Sequence, residues 1–176
     1  MNTLTPDDVL LGLLAAGARH GYALLSCFRD PAQLGRVWDL STSQLYAVLK
    51  RLEGQGLIVG TEAYPPDAPP RTEYALTGEG RIRLDAWLNH VSPSASVHRV
   101  RVEFLSRLYI ARLLNLPTER IIEHQKAACA AQRDDLLAER ACAAPGIGYL
   151  SLELQLAQME AILLWIDRCE LTRRGA

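Results

Sequence analysis

The residues best equipped for chemistry lie in one stretch, Ser41 to Gly56, with the sequence STSQLYAVLKRLEGQG. At about 100° per residue, Ser43, Ala47, Lys50 and Gly54 fall on one face of a helix, with Tyr46 and Arg51 on its flanks. Ser41, Thr42 and Gln44 lie at its start. Hydroxyl and amide groups suit base edges or phosphate oxygens, and the two cations suit phosphates or a guanine edge. A helix with such a face fits a DNA major groove, but it equally fits an ordinary solvated surface. The neighbouring elements have to decide.

Behind that face, Leu45, Val48, Leu49 and Leu52 recur at i, i+3, i+4 and i+7, the spacing of one buried stripe. Ser41 is placed to cap the first turn, and Gly54 and Gly56 stop the helix. Two helices precede it. Thr5-Pro-Asp-Asp opens the first with a capping residue, a proline and two acids near the positive end of the helix dipole, and Val9, Leu10, Leu13 and Leu14 form its buried side. The second runs from Gly21 to Phe28. His20, Gly21 and Tyr22 sit at its start, where free amides can hold a phosphate. Asp30 to Leu40 is a connection, with Val37-Trp38-Asp39 briefly extended.

After Gly56 the period changes from helix to strand. Leu57 to Tyr64 and Arg71 to Leu76 read as two strands around the proline-rich tip Pro65-Pro-Asp-Ala-Pro-Pro70. A hairpin directly after a polar-faced third helix is the wing of a winged helix-turn-helix. Arg71 and Thr72, at the wing's base, are then candidates for phosphate or minor-groove contact. Thr77 caps a fourth helix, from Gly78 to about Val91.

Ser92-Pro-Ser-Ala-Ser96 is the clearest linker and divides the chain into 1–92 and 93–176. Beyond it everything reads helical, with helices near 99–115, 118–143 and 149–173. In the last, Tyr149, Leu152, Leu156, Met159, Leu163 and Ile166 alternate spacings of 3 and 4, a heptad seam too wide for one helical hairpin to cover, expected to pack both within the chain, against the helix at 118–143, and against a second copy. The second part is therefore expected to be a helical dimerisation domain, with Leu152, Leu156, Met159, Leu163 and Ile166 as the dimerisation residues.

Composition bounds the remaining possibilities. A chain of 176 residues that is 49% hydrophobic and 22% charged can bury a core. It has no apolar run of membrane-spanning length and its N-terminus lacks a signal peptide's basic region, so it is expected to be soluble and cytoplasmic, away from any membrane. Residues 1–92 carry 8 Lys and Arg against 10 Asp and Glu, which works against strong non-specific DNA affinity and confines any basic footprint to a local patch. Cys27, Cys129, Cys142 and Cys169 are widely spaced and read as reduced thiols. His20, His90, His98 and His124 have neither nucleophile nor metal-ligand spacing, so no catalytic residue, metal or cofactor is assigned. Trp38, Trp87 and Trp165 could stack on a flat aromatic molecule, though tryptophan at helical spacing is usually core. Trp165, on the heptad face, is the candidate effector residue.

Four motifs in order carry a resemblance: Leu10-Leu11-Gly12-Leu13-Leu14; Arg19-His20-Gly21-Tyr22; Ser41 to Gly56 with Leu57-Ile58; and Arg71 to Thr77 with Gly80-Arg81. Together they resemble the PadR family of transcriptional regulators. Val102-Glu103-Phe104-Leu105 and the helices after it look like that family's larger C-terminal dimerisation domain. The resemblance implies a winged helix-turn-helix homodimer, mostly a repressor on palindromic double-stranded operators, released by a small aromatic or hydrophobic effector. Gln44 departs from the small residue or threonine usual at its position, so no operator sequence is implied.

The expectation is thus a mainly helical protein, with a DNA-binding winged helix-turn-helix of three helices and a two-stranded wing in 1–92 and a helical dimerisation domain in 93–176. The expected DNA contacts are Ser41, Thr42, Ser43, Gln44, Tyr46, Lys50, Arg51, Arg71, Thr72, His20 and Tyr22. Two rivals remain at this point, a winged helix turned protein-interaction module and an enzyme or ligand-storage bundle built on the C-terminal helices.

Overall fold

The computed structural model describes residues 4–17, 19–66 and 69–171, and they form two compact units. The first comprises the chain up to Asn89 together with Leu105–Pro117. The second comprises His90–Phe104 and the chain from Thr118 onward.

The first unit is built around helix α1 (Asp7–Ala15), whose residues Val9 to Leu14 are all buried. A helix apolar on nearly every side needs cover on every side. Helix α4 (Gly78–Leu88), strand β3 (Arg71–Leu76) and helix α6 (Leu105–Leu113) pack against it. The approach to α6 is close, because a Cβ at Gly12 would lie 2.4 Å from Cγ2 of Ile110. This packing draws α6 into the first unit although it lies beyond the Ser92–Ser96 linker. Two hydrogen bonds hold it there: Trp38 Nε1 donates to Ser106 Oγ at 2.8 Å, and the Tyr109 hydroxyl donates to Gln33 Oε1 at 2.7 Å.

Helices α2 (Gly21–Arg29) and α3 (Thr42–Gly54) complete the three-helix core, with Leu24, Leu45, Leu49 and Leu52 fully buried. Strand β2 (Ile58–Ala63) pairs antiparallel with β3, so that Gly60 faces Tyr74 and Ala63 faces Arg71. This is the expected wing. The sheet also has a third strand, β1 (Arg19–His20), which pairs with β3 and gives the order β1-β3-β2.

Two local expectations are corrected. Residues 37–39 form no strand, because the Leu34 carbonyl accepts from the amides of both Val37 and Trp38 and closes a turn. The first helix is preceded by Pro6 at the capping position with no side-chain cap, and the Thr5 hydroxyl bonds to the Asp7 side chain instead.

In the second unit, α5 (Val97–Arg99) leads into a π-helical turn, Val100–Phe104, and the long helices α7 (Glu119–Cys142) and α8 (Ile147–Leu171) form an antiparallel hairpin. Ion pairs Arg140–Glu153 and Lys126–Asp167 link the two helices near and far from their loop. Much of the heptad seam packs within the chain. Leu156, Met159 and Ile166 are buried within this single chain, and Leu152 and Leu163 are half-buried. The reason is that α8 is apolar on two sides, and α7 covers one of them. Residues 172 and 173, at the expected end of this helix, lie outside the described residues. Among the described residues no disulfide links the cysteines. Cys27 and Cys129 are buried and Cys142 is exposed. Burial pushes the Cys129 thiol up despite the amide that Gln125 donates to its sulfur.

Candidate nucleic-acid interface

Helix α3 starts with a full capping box. The Ser41 hydroxyl accepts from the Gln44 amide at 3.3 Å, and Gln44 Oε1 accepts from the Ser41 amide at 2.9 Å. Both side chains are exposed, but both are held by the helix they begin. Ser43 Oγ lies 3.2 Å from Ser41 Oγ, and the Thr42 hydroxyl accepts from Arg29 Nη2 at 3.2 Å. Arg29 was not among the expected residues. It is exposed, at the last turn of α2, and sits beside the start of α3 only because the chain turns back over residues 30–40.

Farther along α3 the two cations separate in role. Arg51 grips Asp7 with two hydrogen bonds, Nε to Oδ1 at 3.1 Å and Nη2 to Oδ2 at 2.7 Å. The Asp7 side chain is only 5% exposed whereas that of Arg51 is 42% exposed. Burial alone would raise the Asp7 pKa. The hydrogen bonds from Arg51 and Thr5 and the charges of Arg51 and Arg83 outweigh it and hold the carboxyl below its ordinary value. Arg51 therefore braces α3 against α1. Lys50, by contrast, is exposed and makes no ion pair among the described residues.

Tyr46 lies one turn before Lys50 on the same face, with its ring over Gly21. A Cβ at Gly21 would sit 2.7 Å from the Tyr46 hydroxyl, so glycine makes room for the tyrosine. His20 caps α2, its Nδ1 accepting from the Ala23 amide at 3.2 Å. In the neutral imidazole this places the proton on Nε2, leaving a donor on the ring's other edge. Tyr22 stands 71% exposed beside it.

The wing closes this region. The Gly60 amide donates to Glu53 Oε1 at 2.9 Å, fixing β2 to the last turn of α3. Arg71 is exposed but partly answered by Glu73, whose Oε1 accepts from Nε at 3.0 Å and Nη2 at 2.7 Å. Thr72, next along β3, is exposed. At the wing's other strand, Tyr64 donates to Glu62. A concavity of about 500 Å³ lies between α2, α3 and the wing, lined by His20, Tyr22, Tyr46, Arg71, Thr72 and Tyr74. It brings five of the expected residues together. Tyr74 is the unexpected sixth; burial, then the charges of Glu53 and Tyr46, keep its hydroxyl protonated above the usual tyrosine range. The concavity offers hydroxyl, imidazole and guanidinium donors, which suits an anionic sugar-phosphate backbone.

Trp165 lies elsewhere, in the second unit, packed edge-on to Phe104 with ring centroids 5.9 Å apart. Trp38 likewise packs edge-on to Phe28, and the Arg107 guanidinium lies over the Trp87 ring. Each of the three indoles thus meets one aromatic ring or guanidinium. Among the described residues no cluster of His, Cys, Asp or Glu could hold a metal, and no helix is long and apolar enough to cross a membrane.

A family model described as the transcriptional regulator PadR-like family matches residues 10–86, which span α1 to α4. A curated relative, the negative transcriptional regulator PadR of Bacillus subtilis (strain 168), is 31% identical over 106 residues, covering 60% of this chain and 56% of the relative. The matched part thus spans little more than half of that relative's length. Two solved structures are similar. One is Bacillus subtilis PadR in complex with operator DNA, at 25% identity over 93% of this chain and 94% of that one, with a TM-score of 0.48. The other is Bacillus subtilis PadR in complex with p-coumaric acid, at 24% identity over 93% and 92%, with a TM-score of 0.44.

Proposed function

We propose that this chain, whose residues 10–86 match the transcriptional regulator PadR-like family, is a sequence-specific DNA-binding repressor acting in the cytoplasm as a homodimer. The observation that carries this reading is the joint exposure of Tyr46 and Lys50 on one face of α3, beside a wing that presents Arg71 and Thr72. A recognition helix flanked by a wing supplies both halves of such recognition, base edges from the helix and backbone from the wing.

The roles divide accordingly. Ser43, Tyr46 and Lys50 enter the groove. Ser41 and Gln44 hold the helix start and reach phosphates from there. Arg51 acts by bracing α3 through Asp7. His20 Nε2, Tyr22, Arg71 and Thr72 contact the backbone around the concavity. The functional boundary at 92/93 is part of the proposal, with α7 and α8 serving the dimer. Two copies related by a two-fold axis fit a palindromic operator whose half-sites lie about one helical turn, or a multiple, apart. A small aromatic or hydrophobic effector is included on the family resemblance alone, with Trp165 as its candidate contact.

The test is to pass fragments of the protein's own genome over the full-length protein, elute with salt and sequence what was retained. The fragments should share a palindrome, including one upstream of a small set of genes. Retention of random fragments, or of none, would contradict the proposal.

A further inference from the structure

We propose that Arg29, in the last turn of α2, contacts a DNA phosphate, with its guanidinium oriented by the Thr42 hydroxyl at the start of α3. The assignment rests on the DNA-binding reading above and adds to it a backbone contact that no sequence pattern suggested. Arg29 is exposed, donates from Nη2 to Thr42 Oγ1 at 3.2 Å, and makes no ion pair among the described residues. The carboxylate next in sequence, Asp30, is engaged by the turn that follows: Oδ1 accepts from the Ala32 amide at 2.8 Å and Oδ2 from Gln33 Nε2 at 2.9 Å. A guanidinium carries five N–H donors, and the Thr42 bond uses one of them. The rest remain for the two oxygens of a phosphate, the ligand that a planar fork of donors fits best.

The turn fixes where this cation stands. The Leu34 amide donates to the Cys27 carbonyl at 3.1 Å and the Gly35 amide to the Asp30 carbonyl at 3.0 Å, so the chain folds back on the end of α2. The fit is close, since a Cβ at Gly35 would lie 2.9 Å from both the carbonyl carbon and the carbonyl oxygen of Arg29. The backbone that carries Arg29 is therefore held, and Thr42 restrains the far end of its side chain. In a helix-turn-helix docked by its second helix, the first helix crosses the DNA backbone. Here that first helix is α2, and Arg29 is its cation beside α3. It lies at the opposite end of α2 from His20 and Tyr22, about 12 Å away at 1.5 Å per residue, and so supplies a separate point of attachment. The charge balance gives the contact weight. Residues 1–92 carry 8 Lys and Arg against 10 Asp and Glu, and of the nearby arginines Arg51 is held by Asp7 and Arg71 by Glu73. A cation that no acid answers then carries a large share of the phosphate neutralisation.

The experiment is fluorescence anisotropy of the full-length protein at a series of salt concentrations, on the genomic fragment that it retains and on a random duplex of equal length. Arg29→Gln should weaken binding to both duplexes by the same factor, about tenfold, and reduce the salt slope by about 2, one contact from each protomer. Arg29→Lys keeps the charge and should keep the slope, which a purely structural role for the Thr42 bond would not predict. Thr42→Val removes the orienting acceptor and should weaken binding several-fold at an unchanged slope. An unchanged slope in Arg29→Gln, a loss confined to the genomic fragment, a lysine variant with the slope of the glutamine one, or a Thr42→Val variant that binds as the wild type does would each overturn the assignment and leave the repressor reading in place. A wild type that forms no saturable, salt-sensitive complex would remove both.

Discussion

Arg51, at the far end of α3, holds the buried carboxylate of Asp7, in the first turn of α1, through two parallel hydrogen bonds at 3.1 and 2.7 Å. Two neighbouring cations on one helix, Lys50 and Arg51, thereby acquire different work. Lys50 faces solvent, and Arg51 fixes the angle at which α3 leaves the core.

The two should separate on substitution. Lys50→Ala should leave the thermal midpoint within about 1 °C, lower operator affinity several-fold and reduce the salt slope of binding by about 2, one contact from each protomer. Arg51→Ala should cost about 2 kcal/mol, the scale of hydrogen bonds to a charged group, and lower Tm by roughly 4–8 °C. Thermal unfolding beside fluorescence anisotropy on the operator reads both quantities. Equal losses of stability in the two variants would show that Arg51 braces nothing.

The same contact predicts an acid sensitivity. The folded-state pKa of Asp7 lies below its ordinary 3.8. Its stabilising contribution is therefore fully present above about pH 4 and is lost as pH falls through the folded value, because the unfolded chain binds the proton first. Urea unfolding at a series of pH values should show that loss in the wild type. In Asp7→Asn the baseline should be lower at neutral pH and the further decline below pH 4 shallower.

Gly21 and Tyr46 give a third test. A methyl at Gly21 would meet the far end of the Tyr46 side chain, which can swing away. Gly21→Ala should therefore change Tm little, by about 1 °C, and weaken operator binding several-fold by displacing Tyr46. In a Tyr46→Ala background the added methyl should have no further effect on binding. Additive losses in the double variant would mean that the two residues act independently.

Much of this molecule could be read before its structure because the forces that set it are local. The leucine spacing of α3, the Ser41 cap, the change of period after Gly56 and the prolines at the wing tip each act within a few residues of themselves. What escaped reading depends on distant parts of the chain. Asp7 and Arg51 are 44 positions apart, Arg29 reaches Thr42 only across a turn, and β1 finds β3 half a domain later. No periodicity encodes such pairings. Helix α8 illustrates a subtler limit: its two heptad stripes are both plain in the sequence, but which one α7 covers depends on the direction in which the chain leaves the Pro145-Gly146 turn. Residues 105–113 likewise have an unremarkable helical pattern, and only the all-round apolarity of α1 explains why they pack beside it.

The central claim is that α3 and the wing bind duplex DNA chiefly by neutralising phosphates from a small, doubled set of cations. Equilibrium anisotropy of the full-length protein on a palindromic fragment from upstream of its own gene, repeated from 50 to 200 mM salt, tests it most directly. If Arg29, Lys50 and Arg71 act from both protomers, binding should saturate at one dimer per fragment, and log affinity should fall against log salt with a slope of about −5. A complex indifferent to salt, or no saturable complex at 50 mM, would contradict it.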